Sequence, residues 1–425
     1  MKQKFFRLFA DLRFAIIILL IIGGCSIIGT VIEQDQSIDI YKVNYPINQK
    51  IFGILSWDII IKFGFDHIYK TWWFLTLILI FGLSLITCTF LQQFPVLKIS
   101  RRCQFFRKLQ QFNRLKISAT VEDFSLNKIL RRLKNRKYSI FQQKNIFYCY
   151  KGLLGRIAPI IVHFSMVLIL FGTITGALFG FKAQEIIPKS ETFHIQNILS
   201  SGQFTTIPNV SIRVNDFWIT YTKRKTINQF YSDISILNID GKEIKRKTSF
   251  VNSPLIYKNI YYYQTDWNLV GLRLGILNNQ IFEYPLINIA TSQNKIWLTW
   301  IPETTKLTNG VILIVDNLQG YCSVYNDFGK FLGNVEVNEL LNLNSPFALF
   351  EILSSTGLQI KTDPGIPIIY IGFLLLMLST LASYITYSQI WIIKTNQRVF
   401  VGGNTNRALF EFELEFFNLI QKKIT

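Results

Sequence analysis

Three histidines are present, and one of them, His163, falls inside an uninterrupted apolar run. A neutral imidazole is a preferred axial donor to a metal or a haem iron; it also accepts a proton or hydrogen-bonds a neighbouring helix. An ionisable group at membrane depth is by default a functional candidate. His67 and His194 border the ends of apolar runs. Either is able to bind a ligand, although lone interfacial histidines usually have no special role. Five cysteines, Cys25, Cys88, Cys103, Cys149 and Cys322, are scattered without a C-x-x-C pair. That argues against a disulfide framework, a structural zinc site and a dithiol donor. Asp58, Asp66 and Asp363 flank apolar runs, but there is no Ser, His and Asp order, no H-x-x-x-H and no pair of intramembrane carboxylates. Catalysis contained within this chain alone is not expected.

The elements that must position His163 are membrane spans. Half of the 425 residues are apolar, and they are clustered. Four stretches, Phe14 to Ile32, Thr71 to Phe90, Ile157 to Phe181 and Gly365 to Ile393, run uncharged for roughly the ~20 residues that a ~30 Å hydrocarbon core requires of a helix. The first follows Lys2, Lys4, Arg7 and Arg13, as a signal peptide would. It is too long for an ordinary signal core and lacks a small-x-small exit, so it is read as a retained span. His163 then lies roughly 8–9 Å below the entry surface of the third span, at 1.5 Å per residue. Gly172, Gly176 and Gly180 form a small-x-x-x-small run on that span. At about 100° per residue they sit mostly off the His163 face, leaving that face for a cofactor or partner.

The formal charge of +19 is localised. Sixteen Lys or Arg fall between Phe90 and Ile157, against Glu122 and Asp123 alone. The stretch from Phe181 to Pro364 is nearly neutral, with sixteen basic and fifteen acidic residues. Basic loops stay on the side of synthesis, so the N-terminus, the 92–156 loop and the tail face that side. The predicted organisation is 1–33 with span one, 34–70 as a far-side loop, 71–91 as span two and 92–156 as a basic loop. It continues with 157–181 as span three, 182–364 as a far-side domain, 365–393 as span four and 394–425 as a tail. The basic run is read as a solvated segment facing lipid headgroups, with a surface helix from Phe124 to Lys134. No nucleic acid partner is expected.

Residues Tyr45 to Phe65 are spaced as an interfacial amphipathic helix leading to the Trp72-Trp73 pair at the mouth of span two. Beyond span three the period changes. Val210, Ile212 and Val214 alternate with polar residues, and Phe217, Ile219 and Tyr221 resume on the other phase, which predicts a bulge near Asp216. Asp240-Gly241 and Asn326 to Gly329 read as hairpin turns. Tyr257 to Trp267 and Ile296 to Trp300 are β-prone. The fold class is therefore a membrane protein of four transmembrane helices, with a large, mainly antiparallel β domain between helices three and four.

With these features in place, the chain resembles the CcsB/ResB-type cytochrome c biogenesis proteins nearly end to end. The resemblance is carried by Leu12-Arg-Phe-Ala15, Gly29-Thr-Val-Ile-Glu-Gln34, Trp73-Phe74, Ser84-Leu-Ile-Thr-Cys-Thr89 and Arg156-Ile-Ala-Pro-Ile-Ile-Val-His163. It continues through Val251-Asn-Ser-Pro-Leu255, Tyr263-Gln-Thr-Asp-Trp267 and Asp363-Pro-Gly365. It implies that the protein holds haem b transiently, together with a CcsA-type haem-handling membrane partner, for attachment to apocytochromes c such as cytochrome f and soluble cytochrome c. It further implies that His163 is a haem axial ligand and metal contact only through the haem iron, the second ligand coming from the partner. The tryptophan-rich W-G-x-x-W-x-W-D segment of such partners is absent, which places the ligase chemistry in the partner and makes this chain a non-catalytic assembly subunit. The Ile-, Asn-, Lys- and Phe-rich composition and the lack of a transit extension point to a plastid-encoded thylakoid protein with the large domain in the lumen; a bacterial inner or thylakoid membrane is the alternative. A different class, a transporter or ion-translocating subunit with His163 as proton acceptor, stays open from the residues alone. So does a membrane-tethered sensor, though no output domain is visible.

Overall fold

The computed structural model describes residues 7–48, 55–122, 126–224, 226–276, 280–290, 295–302, 310–341, 347–395 and 398–420. The chain divides into two compact units, one of residues 1–177 with 365–425 and one of residues 178–364.

The first unit carries four helices long and apolar enough to span a bilayer: Leu12–Val31, Trp72–Arg101, Leu154–Phe179 and Ile366–Ser383. Span one is apolar on every side and opens on Asp11, whose carboxylate accepts from the Arg13 N–H at 3.0 Å. Most of its large side chains are exposed, which suits a helix bathed in lipid rather than a soluble core. It packs through Ile18 against Phe81 and Leu85 of span two, with Val167 and Leu170 of span three closing the cluster. Spans three and four meet backbone to backbone. A Cβ on Gly365 would lie 2.1 Å from the Gly172 carbonyl oxygen, and one on Gly372 would meet Ile169 Cγ1 at 2.6 Å. The expectation that the glycine run admits a neighbouring helix is met, and that neighbour is span four.

Three sequence expectations are corrected here. Span four does not continue to residue 393: its helix ends at Ser383, and Ser388–Lys394 is a β-strand. The strand looks like membrane sequence because both of its faces are covered. Ile390 and Ile392 enter one apolar core, while Trp391 and Ile393 enter another on the opposite face. A strand buried on two sides and the end of an apolar helix have the same local hydropathy.

The second correction concerns the basic loop and the tail, which are not solvated segments but parts of one folded layer. A five-stranded antiparallel sheet runs in the order Ile117–Glu122, Arg398–Thr405, Ser388–Lys394, Ile146–Lys151 and Ser139–Gln143. Helices Leu126–Asn135 and Leu409–Ile420 cover one face through Ile129, Leu133, Phe412 and Phe416. The surface helix expected from Phe124 to Lys134 is the first of these, although residues 123–125 lie outside the described residues. The other face is closed by Phe106, stacked on Trp391 with ring centroids 4.5 Å apart, and by Phe112. The basic side chains remain largely on the outside. Burial pushes the Cys149 thiol up to about 12, so it behaves as an inert core residue.

The third correction is the interfacial helix expected over Tyr45 to Phe65. Helices occupy Ile38–Asn44 and Trp57–Phe63 instead, residues 45–48 are non-helical, and residues 49–54 lie outside the described residues. Ser56 precedes the second helix and Gly64, at φ +71, ends it. Together they enclose Ile32, Tyr41 and Ile60 in a small core.

The second unit is antiparallel in every described strand pairing. Its centre is the long pair Ile260–Ile276 and Phe347–Thr362, to which Phe181–Pro188 adds. Both predicted hairpins form: Ile227–Leu237 pairs with Glu243–Phe250 around Gly241 at φ +77, and Tyr321–Asn326 pairs with Phe331–Glu336 around Gly329 at φ +76. Positive φ at those turn positions is why glycine stands there. The expected bulge is present between Val214 and Asp216. Two apolar cores fill the unit, one about Trp297 and Leu349, the other about Ile212 and Tyr262.

Candidate intramembrane histidine site

His163 lies on span three, four residues after Pro159, which is tolerated inside the helix. Opposite it, span two is interrupted by a π-helical turn over Thr89–Gln93, where the Phe94 N–H bonds the Thr89 carbonyl five residues back. Such single wide turns recur at functional sites because they re-aim side chains within an otherwise regular helix. Here the turn directs two polar side chains at one ring. Thr89 Oγ1 lies 3.0 Å from His163 Nδ1, and Gln93 Nε2 lies 3.0 Å from His163 Nε2.

With the Gln93 amide as it stands, one tautomer meets these contacts together. The Thr89 hydroxyl donates its single proton to the Leu85 carbonyl at 2.8 Å, so toward His163 it acts as acceptor. Nδ1 therefore carries the ring proton and donates it. Nε2 is left with its lone pair, to which the Gln93 amide donates. In that tautomer one ring nitrogen is fixed by a hydrogen bond and the other presents its lone pair. Gln93 Nε2 also lies 3.4 Å from His163 Nδ1. Its own carbonyl oxygen, Oε1, is buried without a hydrogen-bond partner, so the amide is not locked where it stands.

Beside the imidazole is a cavity of about 350 Å³, lined almost wholly by apolar groups including Phe90, Phe94, Ile160, Phe164 and Val167. A large apolar cavity with one convergent polar donor has the composition of a cofactor site rather than of an aqueous conduction path. Of the other histidines, His67 pairs through Nδ1 with Asp66 Oδ2 at 2.9 Å and is half exposed. His194 is exposed, with Ser211 Oγ at 3.4 Å from its Nε2. The structure brings neither to His163. Among the described residues, no group of three or more His, Cys, Asp and Glu is placed to hold a metal ion. Of the three sequence candidates, His163 is the one that lines this cavity.

Sequence reasoning missed Thr89 and Gln93 as site residues. Thr89 closes one of the segments that carry the family resemblance, and Gln92-Gln93 follow at the end of an apolar run. Polar residues at such depth were the available signal. Their partner could not be named, because the contact joins positions 74 and 70 residues apart.

Fold and site define a four-span membrane protein that offers one oriented imidazole to an apolar cavity. The chain belongs to the ResB-like family, whose profile matches residues 12–298 and 304–417. It is 68% identical over 421 residues to the cytochrome c biogenesis protein Ccs1 of Phaeodactylum tricornutum, covering 99% of this chain and 100% of that one. The Ccs1 of Thalassiosira pseudonana is 66% identical over the same share of each. The cytochrome c biogenesis protein CcsB of Trichormus variabilis is 45% identical over 430 residues, covering 99% of this chain and 93% of that one. A solved cytochrome c haem lyase CcmF overlaps 73% of this chain and 30% of its own at 9% identity and a TM-score of 0.23, too slight a likeness to carry an argument.

Proposed function

We propose that this protein acts in the biogenesis of c-type cytochromes at the step of haem delivery and attachment, and that His163 is an axial ligand to the haem it carries. The observation that carries the reading is the Thr89–His163–Gln93 arrangement beside the apolar cavity. Haem is here the cargo. Its porphyrin supplies an apolar disc, and its iron accepts one lone pair on each face. Among this chain's own residues, Thr89 orients the ring, His163 Nε2 supplies one bond, and the apolar walls exclude water. The second axial ligand comes from a CcsA-type membrane partner, and the attachment chemistry belongs to that partner, so this chain serves as a haem-handling assembly subunit.

The basic sheet layer lies on the side of synthesis and the β unit on the far side, where apocytochromes such as cytochrome f are completed. The membrane is the thylakoid of a plastid, in keeping with the diatom and cyanobacterial sources of the relatives. The β unit receives the apocytochrome or positions the partner's haem platform; deletion of residues 182–364 with cytochrome maturation and partner assembly both intact would exclude that role. The proton-acceptor reading is weaker, because transporters place several polar groups and repeats at the midplane, whereas this chain has one such histidine and four spans.

The test is purification with the partner and absorption spectra of the wild type and of His163→Ala. Loss of the haem bands together with loss of c-type cytochromes is expected. An unchanged spectrum with normal maturation refutes the ligand assignment.

A further inference from the structure

A second cavity, of about 390 Å³, lies along the same two helices, and its lining includes Gln93, which contacts the His163 ring. Its walls are polar where those of the first are apolar: Gln92, Gln93, Arg156, Asn406 and Arg407. Arg156 precedes His163 by seven residues, two helical turns, so both lie on one face with their Cα atoms about 10 Å apart along the axis. The Arg156 guanidinium lies over the Tyr387 ring, 5.3 Å from its centroid, and Tyr387 is itself anchored by its hydroxyl to the Ser100 carbonyl at 2.9 Å. Arg156 Nε is nevertheless buried with no hydrogen-bond partner, as is Gln93 Oε1. Arg407 spends one N–H on the Ser383 carbonyl at 3.1 Å. The approach of these groups is imposed by the backbone. A Cβ on Gly155 would sit 1.9 Å from the Ile385 carbonyl oxygen, so the start of span three is pressed against the segment that leaves span four.

We infer that this cavity binds the carboxylates of the tetrapyrrole whose iron meets His163, with Arg156 and Arg407 as the cationic pair. The inference rests on the haem reading above and adds the orientation of the cargo. A disc-shaped dianion is amphipathic, with an apolar ring edge and two carboxylates on the opposite edge. The two cavities, linked by the Gln93–His163 contact, repeat that division, and the Arg156-to-His163 spacing is comparable to the reach from a porphyrin's centre to its carboxylates. A carboxylate is costly within the hydrocarbon, so the ring must enter with its anionic edge toward the basic end of the spans. An arginine with an unspent buried donor gains from such a partner through charge-assisted hydrogen bonds.

The test is a titration of the detergent-solubilised full chain, followed by tryptophan fluorescence quenching, with haem and with haem dimethyl ester, in which both carboxylates are masked. Wild type is expected to prefer the free acid by about tenfold, the order of one charge-assisted contact. In the double variant Arg156→Gln, Arg407→Gln the preference disappears, while affinity for the ester stays at its wild-type value, which also reports an intact fold. Arg156→Lys retains a preference. The iron-ligand absorption bands of the double variant remain those of the wild type. An absent preference in wild type, or one that survives in the double variant, overturns the inference. So does a double variant whose only change is weaker binding of phosphatidylglycerol from mixed vesicles, since the cavity would then be a lipid headgroup site. His163→Ala separates the two readings: it abolishes the ligand bands but keeps the acid-over-ester preference. Wild-type bands in that variant would defeat the axial-ligand assignment without touching the carboxylate result.

Discussion

Span three makes two helix contacts of opposite design. Toward span four, Gly172 and Gly365 bring backbones together until no side chain fits, and Gly372 repeats this about two turns on. Toward span two, Gly82 has only Leu170 Cδ1 within reach at 3.7 Å, and beyond it the contact opens into a cavity bridged by Thr89, Gln93 and His163. The first contact is held by packing, which lipid cannot replace. The second is held by side-chain hydrogen bonds across the gap. A helix that is rigid on one side and adaptable on the other presents its imidazole from a fixed base.

The largest way to break the contrast is Gly365→Ala. The added carbon would meet backbone, which cannot rotate away, so a loss of roughly 1–3 kcal/mol is expected, the range of overpacking. A lowered midpoint of thermal unfolding in detergent, with less protein accumulating in the membrane, is the readout; an unchanged midpoint would mean the helices are not in contact. Next in size is Thr89→Val, which leaves the Nδ1 proton without its acceptor. Haem affinity should fall about 10- to 100-fold, as for lost outer-shell partners of ligand histidines, with little change in unfolding. Retention of full affinity would show that Thr89 does not hold the ring. Gln93→Leu acts in the opposite direction. It removes the group that must leave Nε2, and haem should bind tighter by a factor corresponding to about 1 kcal/mol, one hydrogen bond. Weaker binding would indicate that Gln93 assists the bound state instead. The smallest effect is reserved for Gly82→Ala. There the new methyl makes an ordinary contact, and relief of glycine's conformational freedom should stabilise by about 0.5–1 kcal/mol. Destabilisation comparable to that of Gly365→Ala would erase the distinction between the two contacts.

Much of this was readable residue by residue. Four apolar runs located four spans, Asp240-Gly241 located a hairpin, and the phase change at Asp216 located a bulge, because each is the outcome of local sterics or local hydropathy. His163 stood out for the same reason, an ionisable group amid apolar neighbours. The reading failed where a local pattern has two non-local solutions. Ser388–Lys394 is apolar on both faces, and only the partners it acquires, Ile146–Lys151 on one edge and Arg398–Thr405 on the other, make it a strand rather than more of span four. One of those partners lies more than two hundred residues upstream. The basic loop likewise reads as a solvated, headgroup-facing segment because its apolar positions serve a sheet completed by the C-terminal tail.

The sequence by itself determined that the chain crosses a membrane four times, that a β unit separates the last two crossings, and that a single histidine lies at depth, since hydropathy, turn chemistry and charge are summed over neighbours along the chain. Only the tertiary structure decided which side chains meet the two nitrogens of that histidine. That depends on a hydroxyl already committed to Leu85, an amide across the gap and a wide turn in span two, and hydrogen bonds between helices obey distances in space that spacing along the chain does not encode.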